Sequence, residues 1–212
     1  MPRKRAGKIA TCLTMIFTGA ALLTGCHEPS SSPVDTCASS FADATSQVDA
    51  QDPLIAKAQK ILAKEGKAIA DLVGRPYACA QGITFKVNTT DDGAASTSGA
   101  VVTLYKRYFD QNPNDLEGVV VHELAHAIER AASYSGDFGW MIEGLADFVR
   151  YKLGYGKIEQ GDPHTGYKRA AGFFNWLYEL PDGHQAYYAL VKDLNDGKRP
   201  ANVDALLTQY NC

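Results

Sequence analysis

The sequence predicts an α+β domain in which one helix and a few strands precede a mostly helical C-terminal half, and three features carry that prediction. Apolar residues recur at helical spacing over residues 54–73, as Leu54, Ile55, Ala58, Ile61, Leu62, Ile69, Leu72 and Val73. Two short runs rich in β-branched residues follow, at 83–87 and 100–105. Beyond residue 112, amphipathic helical patterns dominate to the C-terminus.

Each element has a local cause. Asp52-Pro53 suits a helix start, since proline has no N–H to leave unsatisfied at the first helical position, and Gly74 with Pro76 ends that helix. Ile83-Thr84-Phe85-Lys86-Val87 alternates as a half-buried strand does, and residues 88–98 read as a loop of small and polar residues. Asn112-Pro113-Asn114-Asp115 is a turn with Asp115 as N-cap of the next helix, which runs to about Ala132. A loop at 133–139 leads to a helix over 140–153, and a glycine-rich stretch at 154–166 leads to another over 167–180, bearing Phe173, Phe174, Trp176 and Leu177. Two shorter helices cover 183–193 and 203–210. No internal repeat of useful length is present, which excludes an array or solenoid.

At 212 residues, with 45% hydrophobic and 21% charged residues, the chain has the material for one globular core. Its start differs from the rest. Arg3, Lys4, Arg5 and Lys8 precede an uncharged run over 9–24, as in a secretion signal, and that run is too short and too rich in Thr and Gly for a membrane span of about 20 apolar residues. Leu23-Thr24-Gly25-Cys26 is similar to the bacterial lipobox, in which the chain is cut before a cysteine that is then acylated. The expected organisation is a lipoprotein signal peptide at 1–25, a flexible tether at 26–50 carrying lipid on Cys26, and a folded domain at 51–212. That makes the mature protein exported and anchored to the cell envelope. The residue after Cys26 is His27 rather than Asp, which favours the outer membrane of a double-membraned bacterium.

Cleavage removes four of the 21 Lys and Arg and none of the 24 Asp and Glu, leaving a net charge of −7. That excludes nucleic acid as an expected partner. Of the remaining cysteines, Cys37, Cys79 and Cys212, an exported chain is expected to bridge one pair, with the choice of pair left open.

The chemistry concentrates in Gly118-Val119-Val120-Val121-His122-Glu123-Leu124-Ala125-His126. Residues four apart on a helix lie about 40° apart around its axis and about 6 Å along it, so His122 and His126 point into one small volume. That geometry suits two imidazole ligands to one Zn²⁺ ion. Glu123 cannot easily ligate the same ion, but it reaches a water beside it, as a general base must.

A catalytic zinc needs a third protein ligand and an open position. Glu129 lies on the stripe of the two histidines, where three ligands in a row along a straight helix cannot surround an ion. Asp137, in a loop, is a second candidate. A histidine six residues past His126 is ruled out, because that residue is Ala132. Glu143 is preferred, 17 residues after His126, far enough for a second helix to return past the first. Asp147 stands one turn beyond Glu143 and is expected to accept a hydrogen bond from the distal ring nitrogen of His122, fixing its tautomer. Gly144 between them costs about 1 kcal/mol in a helix relative to alanine, and close approach of the two helices at the metal is its expected compensation.

The HELAH run with Glu143 and Asp147 is similar to the gluzincins, the thermolysin-like zinc peptidases, whose third ligand and supporting aspartate are also four apart. A closer resemblance is to the basic secretory protein family, peptidases of plants and microbes. It rests on residues 116–126, on Ile142-Glu143-Gly144-Leu145-Ala146-Asp147-Phe148-Val149-Arg150, and on Tyr167, Ala171, Phe173 and Trp176-Leu177, and it covers roughly 83–210. The acidic mature charge and the lipobox tether depart from the plant members, and both bear on substrate and partners rather than on the metal site.

The resemblance implies a zincin-like metallopeptidase domain with a small mixed β-sheet, one Zn²⁺ held by His122, His126 and Glu143, and a peptide or protein substrate. Glu123 would take a proton from the attacking water and pass it to the departing amine. Candidates to stabilise the carbonyl oxygen are Tyr167, which matches the family's tyrosine, then His164 and His184. The run Val101 to Tyr105 is expected to be an exposed edge strand that pairs with the substrate. Two other readings remain open: an inactive zinc-stabilised binding module at the envelope, and an amidase acting on cell-wall peptides.

Overall fold

A computed structural model describes residues 52–130 and 139–211 of the chain. The signal and tether, Cys26, Cys37, Asp137 and Cys212 lie outside the described residues.

The first helix, α1 (Pro53–Leu72), starts where Asp52 accepts a hydrogen bond from the Leu54 N–H at 2.8 Å. It buries Ile55, Ala58, Ile61 and Ile69 along one stripe and stops at Gly74, whose φ of 63° is open to glycine at little cost. Cys79 follows in a short 3-10 turn, buried and disulfide-bonded.

Three strands form one mixed sheet: β1 (Thr84–Asn88), β2 (Ala95–Ser98) and β3 (Val101–Tyr105), in the order β1-β3-β2. β1 runs parallel to β3, with Phe85 opposite Val102, and β2 runs antiparallel to β3, with Thr97 opposite Val102. Two expectations are corrected here. β3 is the central strand rather than an edge, because Val102 and Leu104 are fully buried and both neighbours pair with it. The edge is β2, in a stretch expected to be loop. Ala95-Ser96-Thr97-Ser98 has no apolar alternation of its own, and strand geometry is imposed on it by pairing with β3.

A further short helix, α2 (Lys106–Gln111), continues directly from β3 with a Lys106–Asp110 ion pair at 2.6 Å and only Phe109 buried. Its single apolar anchor is too little for periodicity to find. Asp115 is not a side-chain cap. Its carboxylate accepts from the Tyr108 hydroxyl at 2.6 Å and from Arg150 at 2.8 Å, which draws it away from the helix end that begins beside it.

The central helix α3 (Leu116–Glu129) is buried on nearly every side, with Val120, Val121, Leu124, Ala125 and Ile128 fully enclosed between α1, the sheet and the next helix. α3 ends at Arg130, in the left-handed region at φ 50°. α4 (Gly139–Lys152) returns alongside it, so that Asp147 meets His122 while Glu143 meets both His122 and His126, an antiparallel register. α5 (Tyr167–Glu179), α6 (Gly183–Asn195) and α7 (Val203–Tyr210) complete the fold. Phe148, Phe174, Tyr178 and Tyr187 pack edge and face into the aromatic centre of this half. Among the described residues no helix is long and apolar enough to cross a membrane.

The close approach at Gly144 is to α5, not to the histidine helix. A Cβ built there would stand 2.3 Å from the Ala170 Cβ and 3.0 Å from its carbonyl carbon. Gly144→Ala is therefore expected to destabilise the fold by about 1–3 kcal/mol despite the better helix propensity of alanine. Urea denaturation measures this, and a variant as stable as the wild type would show that α4 and α5 separate freely.

Candidate metal and catalytic site

α3 and α4, packed together, line an open groove of about 1180 Å³ that β2 and the start of α5 also border. His122 and His126 project from α3, one turn apart, with ring planes at 83° and centroids 4.7 Å apart. Their Nε2 atoms stand 3.1 Å from each other. From α4 the Glu143 Oε2 stands 3.1 Å from the His122 Nε2 and 3.6 Å from the His126 Nε2. Among the described residues, His122, His126 and Glu143 are the group of three whose ligand atoms all lie within 4.8 Å of one another.

Those spacings suit a metal ion. Tetrahedral ligands at the usual zinc distances of 2.0–2.1 Å stand about 3.3–3.4 Å apart, and the three observed separations straddle that value. Metal-free, the site is electrostatically awkward. The His122 ring meets Asp147 Oδ1 at 2.9 Å through Nδ1 and Glu143 through Nε2, so it satisfies both acids at once only by carrying a second proton. A cation on Nε2 removes that demand and leaves Nδ1–H to donate to Asp147, which fixes the tautomer.

The titration behaviour follows the same balance. Burial pushes both imidazoles toward neutrality, but the carboxylates around them win. The His122 pKa is raised by Asp147 and Glu143, and that of His126 reaches about 10 against Glu129 and Glu143. Burial likewise opposes ionisation of Glu143, yet hydrogen bonds to the two imidazoles hold it down to about 2.

Glu123 is turned about 100° around α3 from His122 and lines the same groove, almost buried. Its Oε2 accepts a hydrogen bond at 2.7 Å from the Thr97 hydroxyl of β2. Tyr167 opens α5 at the mouth of the site, 57% exposed, with its ring stacked on His122 at 6.4 Å. The charge of Glu143 raises its phenol pKa, so the hydroxyl keeps its proton and remains a donor. Its backbone lies in the left-handed region at φ 48°, uncommon for a residue with a Cβ and typical of functional positions.

The structure leaves other candidates aside. His164 is bonded to Asp162 and packed against Trp140, and His184 packs on Tyr178; neither lines the groove. Arg150, which does line the groove, donates to Asp115 and to the Tyr155 carbonyl and so ties the start of α3 to the end of α4. Glu129 is fully buried behind His126, its carboxylate 4.0 Å from the His126 Nδ1, too long for a hydrogen bond, and burial raises its pKa. It stands on the far side of that ring from Glu143, which separates it from the ligand group.

Two contributors escaped the sequence reading. Glu129 was visible at i+3 from His126, but only as a ligand candidate, not as a charge behind the ring. Thr97 had no local signal at all. The ladder also shows which backbone groups β2 leaves open. Tyr105 N–H donates to the Ala94 carbonyl at 3.1 Å, and antiparallel pairs alternate, so residues 94, 96 and 98 turn their polar groups to β3. Ala95 and Thr97 turn theirs to the edge that no strand among the described residues pairs with.

A small mixed sheet under a helix pair that presents two imidazoles and a carboxylate defines an α+β protein with a candidate metal site, and the Glu123 carboxylate lines the same groove. The chain matches the family described as "Peptidase of plants and bacteria" over residues 37–208, most of its length, and belongs to that family, the basic secretory protein family. No curated protein and no solved structure matches it.

If Asp147 supports His122, Asp147→Ala should weaken metal affinity by about 10- to 100-fold, measured by chelator competition. Binding should also release protons, since the imidazoles hold them when metal-free, so affinity should fall as the pH is lowered. Calorimetry in buffers of different ionisation enthalpy counts those protons; no release would mean that the rings are not the ligands.

Proposed function

We propose that this protein is a zinc-dependent metallopeptidase, made as an exported lipoprotein and held on the cell envelope through lipid on Cys26. The observation that carries the activity is the cluster of His122, His126 and Glu143 ligand atoms, 3.1–3.6 Å apart, with the Glu123 carboxylate in the same groove. Membership in a peptidase family supports the reaction class. The anchor rests on the cationic start, the short apolar run and Leu23-Thr24-Gly25-Cys26.

In this reading His122, His126 and Glu143 hold the ion, and Asp147 fixes the His122 ring. Bound zinc supplies Lewis acidity, lowering the pKa of a water to about 7 and polarising the scissile carbonyl. Glu123 takes the water's proton as the water attacks and returns it to the departing amine. Tyr167 donates its phenolic proton in a hydrogen bond to the carbonyl oxygen as charge develops there. The substrate lies extended along β2, where Ala95 and Thr97 offer N–H and C=O groups with little demand on side-chain identity. The chain's acidity keeps nucleic acid from the list of partners.

Glu123→Gln is expected to retain one zinc per chain while hydrolysis of a denatured protein falls by about three orders of magnitude or more. Elemental analysis and a peptide-library assay measure the two effects. Zinc binding without cleavage of any polypeptide by the wild type would instead favour a zinc-stabilised binding module. Tyr167→Phe is expected to lower kcat by about 100-fold with KM changed by less than about threefold, as for loss of one oxyanion donor.

A further inference from the structure

The acid assigned as general base is the end of a flexible side chain, and something must aim it. Glu123 has three rotatable bonds, and a carboxylate free to rotate spends little of its time in the one orientation that meets an attacking water. Its partner in the structure is Thr97, whose hydroxyl lies 2.7 Å from Oε2 and 3.1 Å from the main-chain carbonyl of the same residue. A hydroxyl has one proton to give. The shorter contact to the charged acceptor takes it, which commits Oε2 and leaves Oε1 as the proton acceptor.

Thr97 is itself rigidly placed. It pairs with Val102, a fully buried residue of the central strand, and its β-branched side chain has restricted χ1 freedom. The neighbouring hydroxyls do not share the task. Ser96 is bonded to the Tyr105 hydroxyl at 2.8 Å, and both Ser96 and Ser98 belong to the exposed face of β2. The residue that aims the carboxylate is thus one of the two whose backbone faces the open edge.

We propose that Thr97 is a positioning residue for Glu123, holding one carboxylate oxygen so that the other faces the reacting water, and that β2 thereby joins the substrate-binding edge to the proton-transfer step. The proposal rests on the metallopeptidase reading for the word base, and on the Thr97–Glu123 contact for the positioning itself.

The experiment compares Thr97→Val, which keeps shape and loses the donor, with Thr97→Ser, which keeps the donor. Crystal structures of both metal-free variants come first. Glu123 should keep its wild-type rotamer in Thr97→Ser and leave it in Thr97→Val; an unchanged rotamer in Thr97→Val overturns the proposal. On zinc-loaded protein, Thr97→Val should lower kcat by about 10- to 100-fold with KM within about twofold and zinc affinity unchanged, and Thr97→Ser should restore kcat to within about threefold. An active wild type whose Thr97→Val variant keeps full kcat also overturns it, as does failure of serine to rescue. A wild type that cleaves nothing sinks the peptidase reading instead, while the rotamers still decide whether Thr97 holds the carboxylate.

Discussion

The antiparallel packing of α3 against α4 is the constraint on which the site depends. In that register Asp147 reaches the outer nitrogen of His122 at 2.9 Å while Glu143, one turn earlier, reaches the inner nitrogens of both histidines. A slide by one turn would remove every one of these contacts together. The register is kept from behind, where Gly144 lets Ala170 of α5 come against α4, and at the ends, where Arg150 ties α4 to Asp115.

Charge makes such packing suited to an ion. Glu123, Glu129, Glu143 and Asp147 surround two imidazoles in one groove, all largely withdrawn from solvent. Buried carboxylates are costly unless paired; Glu129 has Arg75 as well as His126 beside it, while Glu143 and Asp147 meet the two imidazoles. A dication at the three converging atoms would use the lone pairs that otherwise compete for protons. Glu129 stands behind His126 without reaching the ion position.

The sheet contributes on a different scale. β3 is buried and central, so it anchors; β2 is small, polar and, among the described residues, at the margin of the sheet. Small and polar residues suit an edge that does not invite permanent association. Because the Thr97 hydroxyl touches Glu123, this margin is a wall of the groove and, in the reading proposed above, part of the acid–base apparatus.

Much of the molecule was legible from residue order alone. α1, α4, α5 and α7 follow from apolar spacing and from glycine and proline stops, and His122, Glu123 and His126 are related by helical geometry that no tertiary contact needs to supply. Glu143 and Asp147 were legible too, since two acids four apart on a returning helix share a face. What only the tertiary structure decided is non-local: that β2 exists and forms the edge, that Gly144 faces α5, that Asp115 bonds to Tyr108 and Arg150 rather than capping α3, and that Thr97 reaches Glu123. Helical spacing is written within a few residues. Strand order and hydroxyl contacts depend on partners far along the chain, which no local pattern encodes.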